Sequence, residues 1–122
     1  MQIVDYKELI IWQKAMDLVS EVYKLAKKLP KEETYVLSDQ IRRAAISIPS
    51  NIAEGNARHS TKEYIYFLSI ARGSIAELET QLLLGERTGY WKSDDTAKLF
   101  DLITEIRKML TSIKHNLSNK EY

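Results

Sequence analysis

Four stretches of this sequence repeat apolar residues at steps of three and four positions, a spacing that places them on one face of an α-helix. The apolar positions are Ile11, Ala15, Leu18, Val22, Leu25 and Leu29 in the first stretch; Leu37, Ile41, Ala44, Ile48 and Ile52 in the second; Tyr64, Leu68, Ala71, Ile75, Leu78 and Leu82 in the third; and Leu99, Ile103, Ile106, Leu110, Ile113 and Leu117 in the fourth. Only four Gly and two Pro occur in 122 residues, so little interrupts these helices.

Residues with known preferences for helix ends set the boundaries. Pro30 closes the first helix, Gly55 with Asn56 supplies a stop for the second, and Ser60 with Glu63 has the spacing of a capping box for the third. The predicted helices run over about 9–29, 35–55, 61–86 and 94–117.

The three connections between these helices are short, which makes sequential helices antiparallel neighbours. The prediction is therefore an all-α fold, an antiparallel up-down-up-down four-helix bundle. Long alternating strands and Asn-Gly or Asp-Gly hairpin turns are missing from the sequence. Residues 1–122 are expected to form one domain, with 118–122 as a frayed polar tail.

Three helices carry more apolar residues than one bundle core requires. The additional positions are Trp12, Met16, Val19, Tyr23 and Ala26 in the first helix; Ile65, Ile70, Leu83 and Leu84 in the third; and Phe100, Leu102 and Met109 in the fourth. Two interpretations remain open. The wide stripes either flank a thick core or form a second surface that copies of the chain bury against one another.

The composition excludes several kinds of active site. The absence of Cys excludes disulfides, thiolate catalysis and zinc–thiolate sites. His59 and His115 lack the Glu-x-x-His and His-Glu-x-x-His spacings of bundle metal sites. We therefore expect no enzymatic activity, no metal and no cofactor. The N-terminus does not resemble a signal peptide and no apolar run is long enough to cross a bilayer, so a cytoplasmic location without membrane contact is expected.

The net charge of +1 gives no overall attraction to nucleic acid, so any such binding needs a local concentration of charge. Residues 40–62 hold Arg42, Arg43, Arg58 and Lys62 against one acid, Glu54, which gives this segment +3. These four basic residues are candidate phosphate contacts. Alternatively, the paired arginines bind acids of the third helix.

Two motifs contain residues that ordinary helix packing does not require. The first, 40–55, has Pro49 inside a helical pattern, followed by Asn51 and Glu54, which cap the helix or bridge to its neighbours. A proline there removes a backbone hydrogen bond and is expected to kink the helix. The second, 70–79, contains Gly73, which costs about 1 kcal/mol of helix propensity relative to Ala. Close approach of another helix is the expected compensation.

Several motifs together resemble the bacterial four-helix-bundle proteins encoded within 23S rRNA intervening sequences. They are Trp12–Ala15, Gln40–Pro49, Asn51–Gly55, Arg58–Ser60 and Ala71–Leu78. That family is similar in fold to the accessory variability determinant of diversity-generating retroelements. The resemblance implies a homopentameric ring of bundles, no enzymatic activity, and a role in binding RNA or DNA. The retroelement proteins are strongly basic, whereas this chain carries a net charge of only +1.

Three functional hypotheses follow. The leading one is a non-enzymatic, self-assembling protein that binds RNA, DNA or a nucleic-acid enzyme through Arg42, Arg43, Arg58, Lys62 and Arg72. The second is a protein-interaction scaffold whose arginines form salt bridges between subunits. The third, an enzyme with a site inside the bundle, needs a metal or a clustered polar pocket, and the sequence offers neither.

Overall fold

The computed structural model describes residues 4–119, which fold into helices without any strand. The four α-helices are α1 (Ile10–Ala26), α2 (Leu37–Ala57), α3 (Thr61–Arg87) and α4 (Ser93–Asn119). Two short 3₁₀ helices, Tyr6–Glu8 and Lys31–Glu33, precede α1 and α2. Each α-helix packs against the helices before and after it, and α4 also packs against α1, which closes a four-helix bundle. The predicted fold class is confirmed.

The core consists of the four predicted stripes. It contains Ile11, Ala15, Leu18, Val22 and Leu25 of α1; Ile41, Ala44, Ala45, Ile48 and Ile52 of α2; Leu68, Ala71, Ile75, Leu78 and Leu82 of α3; and Leu99, Ile103, Ile106 and Leu110 of α4. Burying one such aliphatic side chain contributes about 1.5–3 kcal/mol. Leu29, Tyr64, Ile113 and Leu117 lie at the ends of the stripes and are only partly buried.

The first helix ends earlier than predicted. Beyond Ala26 the amides of Lys28 and Leu29 bond the carbonyls three residues back, at 3.0 and 3.1 Å, so the chain tightens into turns. Pro30 explains this, because the residue before a proline avoids the α conformation. At the opposite end of the molecule α4 continues through Ser118 to Asn119. The rest of the predicted frayed tail, residues 120–122, lies outside the described residues.

Gly55 does not end α2, which continues to Ala57. The glycine is buried, and a Cβ atom at this position would lie 3.0 Å from Cβ of Phe67 and 3.0 Å from a ring carbon of Tyr64. The absence of a side chain therefore lets the start of α3 fold back closely onto the end of α2. Our interpretation of Gly55 as a helix stop was wrong, because its role is packing between helices.

Ion pairs align α4 with α1 along the whole seam. Lys14 lies 2.6 Å from Glu105, Lys98 lies 3.0 Å from Glu21, and Lys28 lies 3.6 Å from Asp95. Lys14 and Glu21 are seven residues apart, so they occupy one edge of α1, and Lys28 follows seven residues later in the turn beyond that helix. Each exposed pair adds little stability, but the series favours one register between the two helices.

The turn between α3 and α4 is held by an aromatic side chain. Trp91 is buried, and its indole Nε1 donates to the carbonyl of Leu82 at 2.9 Å. The ring lies on Gly85, where any Cβ atom would overlap it. Next to it, the Tyr90 hydroxyl donates to Glu33 at 2.9 Å and so joins this turn to the α1–α2 connection. The bond to the Glu33 carboxylate raises the pKa of Tyr90 above its ordinary value.

We predict that alanine has opposite effects at two glycines of α3. Gly85→Ala displaces Trp91 and should lower the free energy of unfolding by about 1–3 kcal/mol. Gly73→Ala adds a methyl group where no atom lies within 4 Å, so it should raise that free energy by up to about 1 kcal/mol. Urea unfolding followed by circular dichroism measures both. Equal effects at the two sites would contradict the packing described here.

The Glu21 carboxylate gives a prediction about pH. Its bond to Lys98 holds the pKa of Glu21 below its ordinary value, so the folded state favours the ionised form. This contribution is present above the carboxyl's unfolded pKa and is lost as the pH falls through the lowered one. Glu21→Gln should therefore be less stable than the wild type at neutral pH, by up to about 1 kcal/mol. Unfolding curves recorded from neutral to acidic pH should converge, and a constant difference would contradict the assignment.

Candidate nucleic-acid interface

The paired arginines of α2 do not contact acids of α3, so that structural alternative is wrong. Arg42 donates from Nε to the carbonyl of Ser38 at 3.1 Å, and its guanidinium lies 5.8 Å from the ring centre of Tyr23 in α1. Arg43 is exposed and reaches Asp39 of its own helix at 3.9 Å, a weak pair. Both guanidinium groups therefore retain unused donors that could contact a phosphate.

Arg58 is engaged far more completely than the other candidates. It lies 2.9 Å from Glu54 and 3.6 Å from Glu63, and its guanidinium sits 4.9 Å from the ring centre of Phe67. These contacts join the end of α2 to the start of α3, where Ser60 Oγ accepts from the Glu63 amide at 3.1 Å as the capping-box spacing predicts. Two carboxylates compensate the charge of Arg58 and compete with any phosphate.

Lys62 and Arg72 are exposed, and neither has an ion-pair partner within residues 4–119. Arg72 precedes Glu79 by seven residues, so the two lie on the same edge of α3. Glu79 forms an ion pair with Arg107 of α4. Arg72 therefore lies on the edge of α3 that faces α4.

The five predicted basic residues do not form one patch on a single chain. Arg42 lies on the side of α2 that faces α1, whereas Arg72 faces α4. Sixteen residues of α2 separate Arg42 from Arg58, a distance of about 24 Å along the helix axis. The structure brings together only Arg58 and Lys62, at the α2–α3 turn, and Arg42 with its neighbour Arg43.

The proline motif organises the contact between α2 and α3. Pro49 is buried inside α2, and the helix continues past it. Two residues earlier, the Ser47 hydroxyl shares a 2.8 Å hydrogen bond with Ser74 of α3. The Asn51 amide donates to the Ser47 carbonyl at 2.7 Å and to its hydroxyl at 3.0 Å. Asn51 therefore supports the backbone around the proline and does not bridge to another helix.

The close helix packing expected at Gly73 is not found. Gly73 is exposed, and no described atom lies within 4 Å of where its Cβ would be. Further along the same helix Leu83 and Leu84 are 54% and 47% exposed. Together with Thr80, Glu86 and Arg87 they line an open depression that we call the upper α3 face.

A second apolar surface follows the seam between α1 and α2. This α1–α2 groove has a volume of about 340 Å³ and is lined by Tyr6, Trp12, Met16, Val19, Ile46, Pro49, Ser50 and Ala53. The additional apolar residues therefore divide into two classes. Phe100, Leu102 and Met109 of α4 pack against the core, whereas Met16 of α1 and the leucines of the upper α3 face stay substantially exposed.

Two further shifted pKa values have structural causes. The pKa of Asp95 is lowered by a hydrogen bond from the Lys92 backbone amide, and burial raises the pKa of Tyr64. Both shifts belong to groups that hold helices or turns together. Within residues 4–119 no three His, Asp or Glu side chains come close enough to hold a metal ion. No described helix is long and apolar enough to cross a membrane.

Sequence reasoning missed Trp91 and two lysines of α4, Lys108 and Lys114. Trp91 stands outside the helical periodicity, and its buried position depends on how the α3–α4 turn folds back. The lysines were hidden because the charge of the fourth stretch was summed as a whole, with Asp101 and Glu105 included. Counting charge by helix edge would have separated Lys114 from these acids.

Comparison with known proteins supplies a family for this architecture. Residues 7–112 match the model of the 23S rRNA-intervening sequence protein family. A crystal structure of a protein of unknown function from the S23 ribosomal protein family, from Bacteroides thetaiotaomicron VPI-5482, is 32% identical and superimposes with a TM-score of 0.79. The match covers 86% of this chain and 98% of that one. No curated protein shows significant similarity to the chain.

Proposed function

Because the chain belongs to the 23S rRNA-intervening sequence protein family, we propose that it is a non-enzymatic cytoplasmic protein that assembles with copies of itself and binds RNA or DNA. The observation that carries this proposal is the exposed apolar surface of α3. Leu83 and Leu84 are about half exposed on a helix whose core stripe is already complete. Exposed apolar side chains grouped in this way mark interaction surfaces.

The second exposed surface, the α1–α2 groove, differs in shape and position from the upper α3 face. One is a concave seam between two helices, and the other is a single helix surface. A contact between two different surfaces is heterologous, and such contacts generate rings when the rotation closes. We therefore propose that the subunits form a ring, with five copies as the family resemblance implies.

The nucleic-acid part of the proposal is supported by basic residues whose hydrogen-bond donors are not all used within the fold. Arg42 and Arg43 retain unused guanidinium donors, and Arg42 lies one turn from Ile46 at the edge of the α1–α2 groove. Assembly into a ring repeats any such weak contact several times, and linked contacts bind far more tightly than each alone. A near-neutral chain can bind a polyanion in this way.

The self-association part predicts a specific effect on oligomeric state. Leu83→Glu should shift the assembly towards monomers, because it places a charge in an apolar contact that leaves it unpaired. Ala97→Glu is the matched control, because Ala97 is exposed on α4 outside both apolar surfaces. Light scattering coupled to size-exclusion chromatography measures the mass. A monomeric wild type would overturn self-association.

The nucleic-acid part predicts salt-dependent binding. Wild-type protein should bind a labelled RNA or DNA at low salt and release it as salt increases, because phosphate contacts release counterions. Arg42→Ala/Arg43→Ala should weaken binding and flatten the dependence on salt. Fluorescence anisotropy at several salt concentrations measures both. Absence of binding at low salt, or binding independent of salt, would overturn this part of the proposal.

A protein-interaction scaffold is the second candidate function. The observation favouring it is that Arg42 lies at the edge of the α1–α2 groove, where it would face the neighbouring subunit. An interface role predicts that Arg42→Ala/Arg43→Ala dissociates the assembly. The same light-scattering measurement on this variant separates the two functions, since a phosphate-binding role leaves the mass unchanged.

A further inference from the structure

We propose that the lower part of the seam between α3 and α4 is a binding surface for single-stranded nucleic acid, with basic side chains contacting phosphates and Tyr66 stacking on a base. We define this lower α3–α4 seam by Arg72 and Lys114 on the facing edges of the two helices, with Lys62 and Tyr66 exposed on the adjoining outer side of α3. The inference rests on the proposed nucleic-acid function and assigns it a site. Two of these residues, Tyr66 and Lys114, were absent from the sequence-based candidates.

The first observation is a segregation of charge. α3 contains no Asp or Glu from residue 64 to residue 76, and α4 contains none from residue 106 to residue 119. The helices run antiparallel, so these two acid-free stretches lie beside each other towards the end of the bundle that holds the α2–α3 turn. The carboxylates nearest in sequence are Glu63, which pairs with Arg58, Glu105, which pairs with Lys14, and Glu77, which is exposed and forms no ion pair among the described residues.

The register of the two helices brings basic residues face to face. The ion pair between Glu79 and Arg107 fixes one level of the seam. Seven residues towards the N-terminus of α3 is Arg72, and seven towards the C-terminus of α4 is Lys114. A step of seven keeps each on the same helix edge as the pair. Arg72 and Lys114 are thus level across the seam, without a carboxylate between them.

These charges contrast with those of the other seam of α4. Between α1 and α4 each of Lys14, Lys28 and Lys98 has a carboxylate within 3.6 Å. At the lower α3–α4 seam, Lys62, Arg72 and Lys114 have no ion-pair partner among the described residues. Like charges placed together without compensation disfavour the fold, and a bound polyanion removes that repulsion.

The dimensions and the aromatic side chain favour a single strand. Lys62 and Arg72 are ten residues apart, or about 15 Å along α3, so they can contact separate phosphates of one strand. Tyr66 is 61% exposed, one turn from Lys62, and its ring packs edge-on against Phe67 at 5.2 Å between centres. A basic track beside an exposed aromatic ring is the usual arrangement for unpaired bases, whose faces a duplex conceals.

The open surface at Gly73 supports binding of a strand beside Tyr66. This glycine lies two turns after Tyr66 on the same side of α3, and open space surrounds the position of its missing Cβ. A nucleotide stacked on Tyr66 can therefore extend along a helix surface without obstruction. No packing within the described chain accounts for a glycine there.

The test uses full-length protein and a labelled twelve-nucleotide strand in three forms: single-stranded RNA, single-stranded DNA of the same sequence, and duplex RNA. Arg72→Gln/Lys114→Gln should weaken single-strand binding about tenfold or more at low salt and reduce the salt slope by about 1.4, the value for two lost phosphate contacts. Tyr66→Ala should weaken binding about tenfold and leave the salt slope unchanged, because stacking releases no counterions. Lys27→Gln/Lys31→Gln, which removes two exposed charges at the opposite end of the bundle, should bind like the wild type.

The outcomes separate this site from the general function. A wild type that binds none of the three probes at low salt overturns the proposed nucleic-acid function itself. A wild type that binds, with Arg72→Gln/Lys114→Gln equal to the Lys27→Gln/Lys31→Gln control and Arg42→Ala/Arg43→Ala defective, overturns only the seam. Duplex RNA binding more tightly than single strands contradicts the stacking role. Similar affinities for the RNA and DNA strands support contacts to phosphates and base faces, and binding of one sugar type alone contradicts them.

Discussion

Leu18, Ile41, Ile75 and Ile106 come from four different helices and are all fully buried in one core. None of these helices is expected to be stable alone, because most helical stability in proteins comes from packing an apolar face. Mutual burial of the four stripes therefore determines which edges of each helix remain available. The proposed binding surfaces lie on those remaining edges.

The four stripes were predictable from sequence because periodicity is a local property of the chain. The packing roles of Gly55 and Gly85 were not predictable in this way, because the residues that contact each glycine lie beyond a turn in the chain. Gly55 admits the start of α3, and Gly85 admits the Trp91 indole. Gly55 satisfied a local rule for helix ends, yet α2 continues to Ala57. A single sequence does not distinguish a glycine that ends a helix from one that allows another element to approach.

Prediction of the candidate site from sequence has the same limit, because the position of each charge on the surface depends on how the helices pack. Summing charge along a stretch of chain identified Arg58, which the fold pairs with Glu54 and Glu63. A sum over the fourth stretch concealed Lys114, because that stretch also contains Asp101 and Glu105. An α-helix distributes consecutive residues around its axis, so charge acts by edge and not by segment. The edges that meet are known only when the helix register is known, and here one ion pair, Glu79 with Arg107, supplies it.

The proposed assembly and the proposed nucleic-acid site use different surfaces of the bundle. The upper α3 face and the α1–α2 groove hold the apolar surface, whereas the uncompensated basic charge lies at the other end of α3 and on α4. The proposed contacts between subunits use the two apolar surfaces and would leave the lower α3–α4 seam free in every copy. A strand that crosses several subunits meets the same short basic track repeatedly, and the effective concentration at each successive track is high once the first is occupied. A chain with a net charge of +1 can hold a polyanion in this way without being strongly basic overall.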